Sequence, residues 1–181
     1  MSRRNLASYM VNNNRFEEAV KEYKILANDY LETLGPDHVE TLNNQFLLAL
    51  VLNQSSLFAE AETIFTDLLK CQASIFGEKD MRTVDTRHNL AATLADLEKS
   101  EEAKILLLEN IPHQTELHGE NHVQTLAANY LFNMLLLDEN PNRENAISFS
   151  RLINRIELHF GSDNQLVVTG RQVLDEIIEK E

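Results

Sequence analysis

Gly35, Gly77, Gly119 and Gly161 stand 42 residues apart, and they are four of the five glycines in the chain. A fixed period of that size marks a repeat architecture, in which each unit buries its apolar face only against its neighbours. The chain is therefore expected to be an array that presents a surface rather than one that encloses an active site.

Shifting the sequence by 42 brings more than glycines into register. Ala19, Ala61 and Ala103 coincide, as do Phe16 and Phe58. Tyr23, Phe65, Leu107 and Phe149 form a column, and Leu6, Leu48, Leu90 and Phe132 another. Leu34, Phe76 and Phe160 precede their glycines, with His118 the exception, and Thr41, Thr83 and Thr125 follow six residues after theirs.

Each unit reads as two helices. Leu42, Phe46, Ala49, Leu50 and Leu52 recur at three- and four-residue steps and so share a helical face. After the polar break at Asn53 to Ser56, the set Phe58, Ala61, Ile64, Phe65, Leu68 and Leu69 does the same. Nothing alternates as a strand would. The pattern predicts an all-α array of about nine helices at 3–13, 15–34, 38–54, 58–76, 80–97, 100–118, 122–138, 142–160 and 164–179. It is read as a single array: a partial first unit 1–35, units 36–77, 78–119 and 120–161, and a capping helix in 162–181. Leu6 matches the middle of later first helices, so the array is expected to begin partway into a unit. Asp175, Glu176, Glu179, Lys180 and Glu181 give the last helix the wet outer face of a cap.

The glycines are expected to end helices in the left-handed conformation. Asp37 with Glu40, Asn121 with Gln124 and Ser162 with Gln165 fit capping boxes for the helices that follow. The repeated alanines would let the second helix of a unit lie close on the first. Pro112, inside a second helix, is expected to kink or break it near Ile111. Asn140-Pro141-Asn142 lengthens one loop, and Ala146 falls one residue late.

Composition excludes several function classes. The formal net charge of −13 disfavours nucleic acid and anionic membrane, both of which need a basic footprint. Met1-Ser2-Arg3-Arg4 is followed by Asn12, Asn13, Asn14 and Arg15 before any useful apolar stretch, so it does not read as a signal peptide. No run approaches the ~18 apolar residues of a membrane span. The lone Cys71 permits no intrachain disulfide, fits a reducing compartment, and is expected to be buried. A cytoplasmic location is the default. Catalytic signals are absent: there is no glycine-rich phosphate loop, and His118 and His122 flank Gly119, so a turn separates them. No enzyme activity, metal or cofactor is expected.

Arg15-Phe16-Glu17-Glu18-Ala19 resembles the aromatic-x-x-Ala start of a tetratricopeptide second helix. Leu34-Gly35-Pro36-Asp37-His38-Val39-Glu40-Thr41-Leu42-Asn43-Asn44 resembles the 42-residue variety of kinesin light chains. Gly119 to Leu126 repeats that signature, and Arg87-His88-Asn89-Leu90-Ala91 matches another stretch. The likeness spans nearly the whole chain. Three departures stand out: where the family often has a glycine two residues before the aromatic, this chain has Asn14, Ser56 and Glu98.

The resemblance implies a right-handed α-solenoid of antiparallel helix pairs, with first helices lining a groove that holds a partner's peptide. The matching positions are Asn5 and Asn12 with Arg4 and Ser8, then Asn43, Phe46, Leu47 and Leu50 with Asn53 and Gln54. Asp85, His88 and Asn89 follow, and then Tyr130, Leu131 and Met134. Asn5 and Asn89 occupy the column of a groove asparagine, whose amide can clamp a ligand backbone; Leu47 and Leu131 replace it in alternate units. Phe46, Leu50, Tyr130 and Met134 read either as core or, if several are exposed together, as a partner patch. The groove positions carry few positive charges and show no lysine/arginine clamp. An apolar or basic segment is thus the expected ligand, with packing on a neighbouring domain or self-association as the alternative.

Overall fold

The computed structural model describes residues 3–178. Among them are nine α-helices and no strand: α1 (Arg3–Asn12), α2 (Phe16–Leu34), α3 (Val39–Gln54), α4 (Phe58–Phe76), α5 (Met81–Asp96), α6 (Ser100–His118), α7 (Val123–Glu139), α8 (Arg143–Phe160) and α9 (Gln165–Ile178). Every predicted helix is present, with ends within two residues. Glu179, Lys180 and Glu181, expected on the outer face of the last helix, lie outside the described residues.

The helices gather into two compact units, and the chain passes from one to the other within α6, after Ala103. In the first unit each of α1 to α5 packs on the next, and α3 also meets α5. Ala19 and Ala61 are fully buried, which lets the second helices lie close on the first. Phe65, Leu42, Leu52 and Leu68 fill the remaining space. In the second unit Leu126, Leu137, Phe149, Leu152, Ile153, Ile156 and Val167 form the core, with the late Ala146 half-buried at its rim.

Two kinds of chain reversal alternate. The helices α1, α3 and α5 end in Schellman caps. At the α3 end, Ser56 N–H donates to the Asn53 carbonyl and Leu57 N–H to the Leu52 carbonyl, both at 2.9 Å. Asn14 and Glu98 repeat this at the other two ends, and the three cap residues have φ of 57–60°. The left-handed residues are therefore the three that depart from the family's glycine, not the periodic glycines. Those have φ of 86–92°, and at Gly35, Gly77 and Gly161 ψ lies between 163° and 170°. That is a mirror-extended conformation essentially restricted to glycine. It turns the chain sharply out of the second helix into the next first helix.

The N-caps also fall later than expected. His38 and His122 cap α3 and α7, each Nδ1 accepting the N–H two residues on at 3.1 and 3.3 Å. Asn164 Oδ1 accepts the Leu166 N–H at 2.9 Å. Asp37, Asn121 and Ser162 are instead turn residues, because the extended glycine needs one or two more residues before the helix can start. The α7–α8 connection has no left-handed residue; Asn142 caps α8 through the Asn145 N–H at 2.9 Å.

Pro112 does not break α6, which runs unbroken from Ser100 to His118. The proline is exposed, as is Leu108 one turn back, so the Leu108 carbonyl deprived of its N–H partner lies on a face open to water. Cys71 is half-buried rather than buried. Its Sγ lies 3.6 Å from Asp37 Oδ1, and burial together with that carboxylate pushes the thiol pKa up.

Candidate functional site

In the first unit the three first helices are tied to one another along one face. Arg4 on α1 donates to Glu40 at the start of α3 at 2.6 Å and sits over the Tyr30 ring. Further along, Asn53 Nδ2 on α3 donates to Thr93 Oγ1 on α5 at 2.9 Å, and Thr93 donates on to the Asn89 carbonyl at 2.8 Å. These bonds hold α1, α3 and α5 in a common surface.

Asn43, Phe46, Arg82 and Asp85 line a pocket of about 170 Å³ on that surface. Three of the four were expected in the groove, and the structure brings them together from α3 and α5. The pocket falls below the roughly 300–1,000 Å³ of small-molecule sites and suits a single side chain. Its walls offer an aromatic edge, an amide, a carboxylate and a guanidinium. Phe46 is half-buried because its other edge meets Phe65 of α4, with ring centroids 5.9 Å apart. It is thus core on one side and pocket on the other. Leu47 and Leu50 are half-buried on the same helix.

Arg82 is the residue the sequence did not single out. Its Nε and Nη2 donate to the two Asp80 oxygens at 2.8 and 2.9 Å, and its guanidinium lies 3.5 Å from the centre of the Phe76 ring. The arginine holds the Asp80 carboxyl below the usual carboxylate range. The expectation of few positive charges therefore needs one addition: a cation does line the pocket, with its charge partly offset by Asp80. The signal available in sequence was its place three residues before Asp85, one turn along the same face.

Asn89 is half-buried, and its Nδ2 donates to the Asp85 carbonyl at 2.8 Å in its own helix. One amide hydrogen is thus committed, and the side chain is held in a defined pose. His88 beside it is half-buried; desolvation lowers its pKa, and Nδ1 has no partner among the described atoms. Asn5 and Asn12 are exposed on α1 and do not line the pocket. A larger hollow of about 490 Å³ lies at the turn edge, lined by Asn14 to Glu18 and Gln54 to Ser56. It is walled by turns and holds the self-paired Arg15 and Glu18.

In the second unit Tyr130, Leu131 and Met134 are half-buried on α7. Tyr130 meets Phe149 edge-on, with centroids 5.2 Å apart, and both Tyr130 and Met134 pack on the unit's core. Burial raises the Tyr130 hydroxyl pKa. Their role is partly that of core, as the helical spacing allowed. His118 and His122 stack with centroids 4.6 Å apart, and no group of three potential metal ligands occurs among the described residues. No described helix is long and apolar enough to cross a membrane.

Residues 83–124 match the tetratricopeptide repeat profile. The fold is shared with a candidate kinesin light chain from Podosopora anserina that carries nearly identical TPR-like repeats. Two structures of that protein, one of them a variant, match at TM-scores of 0.79 and 0.81. Each is 18% identical, over 98% of this chain and 84% of the other. BtubC (BKLC) from P. vanneervenii matches at TM-score 0.77 and 17% identity, over 96% and 69%. A MamA RS-1 double mutant matches at TM-score 0.60 and 12% identity, over 98% and 93%. No curated protein matches in sequence. At these identities the likeness is one of fold.

Proposed function

We propose that this chain, a tetratricopeptide-type array by fold and by its repeat at residues 83–124, is a non-catalytic module that binds a peptide segment of a partner protein. The observation that carries the reading is the pocket formed by Asn43, Phe46, Arg82 and Asp85 on the face shared by α1, α3 and α5. It would take one apolar or basic side chain, and the Asn43 amide in its wall would meet the ligand's backbone. The net charge of −13 steers basic rather than acidic segments to the surface. The lone half-buried thiol suits a cytoplasmic adaptor or scaffold.

A displayed random-peptide library tests this, selected on the native chain and counter-selected on Asn43→Ala/Asp85→Ala. Enrichment of basic or apolar peptides that lose binding to the variant supports the reading. Failure to enrich, or equal binding to both proteins, refutes it.

A second reading rests on α1. Leu6 is 36% exposed, whereas Leu48 and Leu90 at the same register are 6% and 5% exposed. That face would pack on a neighbouring domain or a second copy. Concentration-dependent sedimentation lost in Leu6→Gln would favour the second copy.

A further inference from the structure

The chain has nine arginines, and six of them pair with a carboxylate. The other three, Arg143, Arg151 and Arg155, have no partner among the described residues. All three lie on α8 and are exposed. With Ile147 and Leu158 they follow one another at steps of four and three residues, so they share one face of the helix. Ile147 is 44% exposed and Leu158 82%, the most exposed large apolar side chain among the described residues. Of the two carboxylates on α8, Glu157 is paired with Arg171 of α9, and Glu144 pairs with none of the three arginines.

The 42-residue period shows that the fold does not call for such a face. At the position of Arg151 the earlier second helices hold Ile25, Asp67 and Glu109; at that of Arg155 they hold Asp29, Cys71 and His113. At that of Leu158 they hold Glu32, Ser74 and Glu116. Cations thus stand on α8 where acidic and uncharged residues serve elsewhere, and an apolar side chain stands where the others are polar. Three arginines without a carboxylate, in a chain of net charge −13, prescribe an anionic complement.

We propose that this face of α8 docks an acidic amphipathic helix from a partner protein. The partner's carboxylates meet Arg151 and Arg155, whose planar guanidinium groups suit paired hydrogen bonds to a carboxylate. Its apolar residues cover Ile147 and Leu158, which stand roughly 16 Å apart along the helix. The net charge acts at long range, but within a Debye length of about 8 Å the three arginines set the sign. The same net charge opposes the broad surface of an anionic membrane, and a second copy carries −13 of its own. One helix face is well under the ~1,200 Å² of standard interfaces, so the contact is weak and transient. It shares no residue with the pocket of Asn43, Phe46, Arg82 and Asp85.

The test is fluorescence anisotropy with the full chain and a labelled helical peptide of about six turns, with leucines on one face and glutamates beside them. A peptide of the same composition, with those residues scrambled around the helix, is the control. The amphipathic peptide should bind and the scrambled one should bind far less. Arg151→Asp/Arg155→Asp, which installs residues that α4 and α2 hold at those positions, should weaken binding by about tenfold or more and flatten its salt dependence. Leu158→Ser, the α4 residue, should weaken it severalfold. Asn43→Ala/Asp85→Ala should leave it unchanged, which separates this face from the pocket. Equal binding by the native chain and both α8 variants, with helicity matched by circular dichroism, overturns the proposal. So does absence of binding up to ~1 mM. Co-sedimentation with phosphatidylserine vesicles, or self-association of the native chain, overturns it too if Arg151→Asp/Arg155→Asp abolishes either one.

Discussion

A β-carbon on Gly170 would come within 2.2 Å of Ile153 Cδ1 and 3.3 Å of Phe149 Cζ, so α9 rests on α8 at the distance of a bare backbone. Gly170 lies in a column with Asn44, Thr86 and Ala128, all buried. Gly170→Ala is expected to cost about 1–3 kcal/mol by overpacking despite its better helix propensity. Adding Ile153→Val, which removes the nearest carbon, should return part of the loss. Urea melts of the two single variants and the double variant measure the coupling.

Gly77 is limited by conformation instead of space. Nothing lies within 4 Å of an added β-carbon, yet φ is +92°. Gly77→Ala is therefore expected to lose about 1–3 kcal/mol through backbone strain alone, with no compensating repacking mutation. Thermal unfolding of the variant beside Gly170→Ala/Ile153→Val distinguishes the two origins.

The left-handed caps give the opposite prediction. Glu98 and Ser56 hold φ near 60° with side chains poorly suited to it. Glu98→Gly and Ser56→Gly should each stabilise by about 0.5–1 kcal/mol. Asn14→Gly should change little, because asparagine tolerates this conformation. Denaturant midpoints at constant m-value report the difference.

Asp80 carries a cap and an ion pair at once. Its oxygen accepts the Arg82 N–H at 3.0 Å, and Arg82 depresses its pKa. The unfolded chain therefore takes up this proton at a higher pH than the native protein does. The pair's contribution is complete above the ordinary carboxylate range and is lost as pH falls through the depressed value. Asp80→Asn keeps the cap and loses the charge. The stability gap between it and the native chain should close on acidification, as followed by urea melts between neutral and acid pH.

His88 behaves differently because only burial lowers its pKa. The unfolded chain protonates near its ordinary value of about 6.5, while the folded protein resists. Stability is full above that value and declines as pH drops from there towards the folded pKa. His88→Gln should flatten this decline, seen by comparing urea midpoints at about pH 7.5 and 5.5, on either side of the ordinary histidine value.

The period made the helices, their pairing and the small residues of the contacts legible, because register exposes equivalent positions. Two of the three misplaced caps depart from the common rule, since His38 and His122 cap through a ring nitrogen; at Asn164 the residue type is ordinary, and the cap falls two residues later than expected because of the turn after Gly161. Pro112 misled because its effect depends on where the freed carbonyl points, which composition does not report. Asn43, Phe46 and Asp85 were legible as groove residues. Arg82 was not, since its place is fixed by stacking on Phe76 and by the grip of Asp80, two contacts outside the repeat signature. Gly170 escaped because its column changes residue class from asparagine to glycine and keeps only smallness in common.

The four periodic glycines share φ within a few degrees. Their turns are interchangeable joints. A 42-residue block removed or duplicated between two of them rejoins the chain at the same backbone angle and in the same helical phase. Change by whole 42-residue modules thus keeps the backbone joint at each boundary, where change of any other length would not.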